Sequence, residues 1–123
     1  MDNELELINH RIMSDKDEIS HKLAYWKFKS KTFAFVHGYF DVLTKEVLDY
    51  LANASNETNR LIVAVHSDRL AKEAGRSLGN TEADRATLVA ALRFVNVVLI
   101  LNEPVEDMIA FLKPDALPKG NDF

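Results

Sequence analysis

Three features of this sequence together point to a doubly wound parallel α/β sheet. Residues 61–65 and 97–101 are wholly apolar runs, as expected of parallel strands covered on both faces. Around them, apolar residues recur three and four apart, the period of amphipathic helices. The two kinds of segment alternate, which favours right-handed β-α-β crossovers over separate helical and strand layers.

Composition bounds the rest. The chain has 123 residues, 47% apolar and 28% charged, enough for one buried core. The expectation is one α/β domain over 14–123 behind an N-terminal arm, 1–13, whose scattered Leu and Ile lack a period. A net charge of -4 gives no footprint for nucleic acid or acidic membranes. No cysteine is present, so disulfides, thiolate metal sites and cysteine nucleophiles are excluded together. The first residues are acidic where a signal peptide is basic, and no run approaches the ~18 apolar residues of a membrane span. These features predict a cytoplasmic protein.

In chain order, Ser14 or Asp15 can cap a first helix, with Ile19, Leu23 and Trp26 on one face and Lys27, Lys29 and Lys31 at its end. A strand at 33–36 follows, then a helix after Thr44 with apolar residues at 47, 48 and 51. The second strand, 61–65, leads to a short helix capped by Ser67 or Asp68. Thr81, with Asp84 three residues on, opens a helix expected to turn Leu88, Val89 and Leu92 inward. After the third strand, 97–101, Asn102 is expected to cap a helix whose first residue is Pro104. Val105, Met108, Ile109 and Leu112 share its inner face. A fourth strand is predicted at 116–117.

In such sheets, ligands sit in the crevice beyond the carboxyl ends of the strands, where helix N-termini present free N–H groups. The turn after the first strand, Gly38-Tyr39-Phe40-Asp41, is therefore the candidate site. That turn, together with His66-Ser67-Asp68, Asp84-Arg85, Lys113-Pro114-Asp115 and Lys119-Gly120-Asn121-Asp122 in this order, resembles the cytidylyltransferase-like nucleotidyltransferases. The adenylyltransferase domain of bacterial ADP-heptose synthesis and glycerol-3-phosphate cytidylyltransferase are similar. The resemblance implies a Rossmann-like nucleotidyltransferase fold. It also implies transfer of AMP or CMP from ATP or CTP to a sugar or glycerol phosphate, with Mg²⁺ as the helper ion if the chain is active.

The family motif runs Gly-x-Phe-Asp-x-x-His-x-Gly-His. Gly38, Phe40 and Asp41 match it, but Thr44 and Val47 stand where the catalytic histidines belong, and Glu46 stands for the glycine. Nucleotidyl transfer is mainly positioning and donation to developing negative charge. Val47 cannot donate, and the helix-capping role open to Thr44 uses its hydroxyl. A carboxylate about 4 Å from phosphate, at an effective dielectric near 20, opposes it by roughly 4 kcal/mol. The loop from Asp68 to Asn80 is also about two residues shorter than in the heptose enzymes. The family pattern further continues past Phe123 through a strand and a helix start, so a C-terminally shortened fold is expected.

The reading is therefore a degenerate nucleotidyltransferase-like domain, inactive or strongly impaired. Two alternatives stand beside it: an active transferase, and a module that binds nucleotide phosphates or scaffolds. Candidate nucleotide or phosphate contacts are His37, Gly38, Phe40, Asp41, His66, Asp68, Arg85, Lys119 and Asp122. Plainer roles are open to several of them: hydrogen bonds to backbone or loop groups for His37 and His66, a turn tie for Asp41, a helix cap for Asp68 and a surface ion pair for Arg85. No His, Asp and Glu spacing reads as a metal site. A homo-oligomer or partner subunit is expected, because the shortened sheet leaves an edge uncovered.

Overall fold

The computed structural model describes residues 3–120 and 123. Four parallel strands form one sheet in the order β1-β4-β3-β2, with β1 Ile12–Met13, β2 Phe33–Gly38, β3 Arg60–His66 and β4 Val97–Leu101. The helices are α1 Glu4–His10, α2 Lys16–Phe28, α3 Lys45–Ser55, α4 Asp68–Glu73, α5 Glu82–Ala90 and α6 Val105–Leu112. The predicted doubly wound α/β class is the one observed.

Alternation along the strands sends neighbouring side chains to opposite faces. Val63 packs with Val47, Leu51, Val89 and Ala90 under α3 and α5. Ile62 packs with Ile19, Trp26, Met108 and Leu112 under α2 and α6. Thus α3 and α5 carry the chain stepwise from β2 to β4 on one face, and α6 returns it across the other. The return lands beside β2, where Ala116 pairs in parallel with Ala34 and Phe35 donates to the Ala116 carbonyl at 3.1 Å. Winding therefore reverses at β2, and the crevice opens at its carboxyl end.

Several local expectations differ from the structure. Residues 4–10 of the expected arm are helical, and Ile12–Met13 add an edge strand to β4. Arg11 anchors them by donating to the carbonyls of Ala90, the last residue of α5, and Leu92, just beyond it, at 2.9 and 3.1 Å. The predicted fourth strand is a single bridge, because Pro118 follows immediately and cannot donate to a ladder. Leu88 is 46% exposed, whereas Val89 is fully buried, so the inner face of α5 is set by Arg85, Ala86 and Val89. Pro104 is itself the N-cap of α6 and gives it no side-chain cap. Asn102 instead accepts from Ser67 Oγ at 2.7 Å and from Arg69 Nε at 3.0 Å.

Candidate functional site

β2 ends at Gly38 because the chain must pass under an aromatic ring. A Cβ added there meets the Phe40 ring at 3.0 Å and the Phe123 carbonyl carbon at 3.3 Å. Phe40 itself takes a left-handed backbone, φ 52°, while its side chain is 1% exposed. Left-handed geometry disfavours a bulky residue by about 1–2 kcal/mol, and burial of the ring offsets that cost. The Phe40 N–H donates to the Phe123 carbonyl at 2.8 Å, holding the bend.

The bend aims two groups at distant loops. Asp41 accepts from the Gly79 and Asn80 N–H groups, both at 2.9 Å, and the Asn80 amide donates back to the Asp41 carbonyl at 2.8 Å. The two backbone donors hold the Asp41 carboxyl below its ordinary value. Arg85 lies wholly buried beneath the same turn. Its guanidinium donates to the carbonyls of Tyr39 at 2.7 Å and Asn80 at 3.1 Å, and to the Asp68 carboxylate at 2.9 Å. Asp68 is not the cap of α4, since Ser67 holds that place by accepting from the Leu70 N–H. Asp41, Asp68 and Arg85 thus form one clamp joining turn 38–41, loop 79–80 and the starts of α4 and α5.

Above the clamp, the ends of β2 and β3 bring two histidines together. Both side chains project on the α2 and α6 face, since Phe35 and Ile62 precede them there at even spacing. His37 Nδ1 and His66 Nε2 lie 3.0 Å apart, and the ring planes are within 12° of parallel. Two imidazoles at that separation share one proton, one nitrogen donating and the other accepting. Desolvation lowers the His37 pKa, with Glu106 of α6 acting in the opposite sense. Tyr39 packs on His66 with ring centres 4.6 Å apart, and the Arg76 guanidinium lies 4.4 Å from the Tyr39 ring centre. Tyr39 was not among the sequence candidates. Its position inside the Gly-Tyr-Phe-Asp turn was the available signal.

The N-terminus of α3 borders this crevice from the other face. Thr44 caps it, its hydroxyl accepting from the Val47 N–H at 3.3 Å. The Val47 side chain is 4% exposed and belongs to the core, while Glu46 is exposed in the first turn. Beside β2, a hollow of about 220 Å³ is lined by His37, Tyr50, Ile109 and Gly120 among others. Burial raises the Tyr50 pKa, and Glu57 adds to the rise. Lys119 is exposed at a second hollow, of about 420 Å³, shared with Tyr50 and Asn53. Asp122 lies outside the described residues. No cluster of three or more metal-ligating side chains occurs among the described residues.

Comparison with known proteins adds descent to this geometry. Bifunctional protein HldE of Campylobacter fetus subsp. fetus is 40% identical over 96 residues, covering 76% of this chain and 21% of that protein. HldE of Campylobacter jejuni (strain RM1221) is 37% identical over 125 residues, covering 96% of this chain and 27% of that protein. The chain is a relative of bifunctional HldE. It spans only about a quarter of the length of these relatives. The expected resemblance holds at the level of the family and the fold, and the domain is nucleotidyltransferase-like. A lipopolysaccharide core biosynthesis protein from Thermoplasma volcanium shares the fold, with a TM-score of 0.66, 24% identity, and coverage of 71% of this chain and 72% of that one. No protein-family model matches the chain. No helix among the described residues is long and apolar enough to cross a membrane.

Proposed function

We propose that this domain has lost most or all nucleotidyl-transfer capacity while keeping the architecture of a sugar-phosphate nucleotidyltransferase. The observation that carries this reading is at the start of α3. The Val47 side chain is in the core, and the Thr44 hydroxyl is turned back on the Val47 N–H. Neither supplies the charged donor that the family motif provides there, and Glu46 adds an opposing charge. Removing one preorganised donor from a charge-stabilising site typically costs 10²- to 10³-fold in rate. Two are missing from one phosphate site.

A second reading is favoured by the His37 and His66 pair, 3.0 Å apart at the strand ends. An anion arriving there favours uptake of a second proton, which gives the crevice a cationic element in place of the motif histidines. The domain then binds a nucleotide or sugar phosphate without turning it over. Pyrophosphate release, with Mg²⁺, ATP or CTP and a panel of sugar and glycerol phosphates, tests the first reading. Calorimetric titration of the same ligands tests the second. Binding abolished by His66→Ala, without turnover, supports both; turnover refutes the first.

A further inference from the structure

At the end of the sheet opposite the crevice, a hollow of about 450 Å³ lies between the C-terminal ends of α2 and α6 and the start of β2. This volume is within the range of small-molecule sites. The buried side chains of Trp26, Phe33 and Leu112 form its apolar floor. Lys27, Lys31 and Lys113 stand exposed around it. None of the three makes an ion pair or a side-chain hydrogen bond with another described residue. Asp115 also lines the hollow, but its carboxylate accepts from the Phe33 N–H at 2.9 Å.

The sign of the local charge follows from a count. Three ammonium groups outnumber one carboxylate by two, and each of the two helix C-termini contributes about half a negative charge. A surplus of roughly one positive charge remains. The sequence concentrates it: four lysines and no carboxylate lie between Ile19 and Phe40, in a chain of net charge -4. Ser30 and Lys113, both lining the hollow, hold left-handed backbone at φ 57° and 53°, where glycine is the residue of least cost. A serine hydroxyl and a lysine ammonium are thereby kept at the rim.

We propose that this hollow binds an organic carboxylate with one charged head and a compact apolar body. The body rests on the floor formed by Trp26, Phe33 and Leu112, and the head is held by Lys27, Lys31 and Lys113. The proposal is independent of the crevice and of whether the domain transfers nucleotides.

Trp26 is the only tryptophan in the chain, so the donor signal comes from the floor of the hollow, and the lysine variants localise the acceptor. The test titrates the full chain with the amphiphilic anion 1-anilinonaphthalene-8-sulfonate and reads energy transfer from Trp26. The expected results are saturable transfer, at least tenfold weaker binding of the uncharged analogue N-phenyl-1-naphthylamine, and displacement of the anion by octanoate or 1-naphthoate. Which carboxylate displaces tells an aliphatic from an aromatic body. The double variant Lys27→Glu/Lys31→Glu is expected to lose at least tenfold in affinity, and Arg93→Glu, away from the hollow, to stay within twofold. Lys113→Asn, compatible with a left-handed backbone, provides a second variant, expected to weaken binding at least threefold. Equal binding of the uncharged analogue, unchanged affinity in both lysine variants, or displacement by neither carboxylate overturns the proposal.

Discussion

Arg85 donates to the Tyr39 carbonyl at 2.7 Å from a position with no solvent exposure, across 46 residues of sequence. The contact fastens the turn that ends β2 to the first turn of α5. A buried guanidinium is tolerated only when its donors are engaged, and here it reaches two carbonyls and one carboxylate.

Arg85→Ala should therefore destabilise the fold by about 3 kcal/mol or more, because two carbonyls lose their donor and a cavity opens. Asp68→Asn should cost below about 1 kcal/mol, since Asp68 is half exposed and Asn keeps an acceptor oxygen. Urea unfolding midpoints measure both. A loss under about 1 kcal/mol for Arg85→Ala would mean that the turn is held by other contacts.

Asp41 links stability to acid. Its folded pKa lies below the unfolded value, so its contribution is full above the unfolded pKa and is lost as pH falls through the folded one. The stability of Asp41→Asn should accordingly fall less steeply than that of the native chain below pH ~4. Parallel acid limbs in urea titrations of the two proteins would disprove the linkage.

His37 acts in the same direction at higher pH. Burial lowers its folded pKa, so the unfolded chain takes up the proton first as pH falls. Its contribution is complete above the ordinary histidine value and declines from there down to the folded pKa. Imidazole NMR should place the His37 midpoint below 6.5, the ordinary value. In His66→Phe the Nδ1 contact is gone and the midpoint should move. An unmoved midpoint would show that the 3.0 Å contact carries no proton.

How much was legible in the sequence depended on how local each signal was. Residues 61–65 announced a buried strand because every one is apolar, and Ile62 and Val63 fall in opposite core layers as the period of two requires. Thr44 and Thr81 were readable as caps because the bonded N–H lies three residues on. β1 was not readable, since two residues carry no period and its existence depends on pairing with Val98 and Leu99. The burial of Arg85 was equally hidden, because its partners at 39, 68 and 80 meet only in the folded chain. Asp41 showed its turn position, but not that its partners are the N–H groups of Gly79 and Asn80.

The two core layers make a separable test. Ile62→Ala and Val63→Ala should each cost about 2–4 kcal/mol, one loosening contacts to α2 and α6 and the other contacts to α3 and α5. A loss below about 0.5 kcal/mol at either position would contradict burial there.

At the start of α3, Thr44 and Val47 leave no charged donor for phosphate. The consequence for catalysis is measured by transfer of labelled nucleotide from ATP or CTP to sugar and glycerol phosphates, with Mg²⁺ and protein in excess over nucleotide. Under those conditions even a single slow turnover is detected. The expected rate is at least about 10³-fold below that of an intact bifunctional HldE protein assayed alongside. A rate within about tenfold of that relative, lost in His37→Ala or His66→Ala, would contradict it and make the histidine pair at the strand ends the catalytic donors.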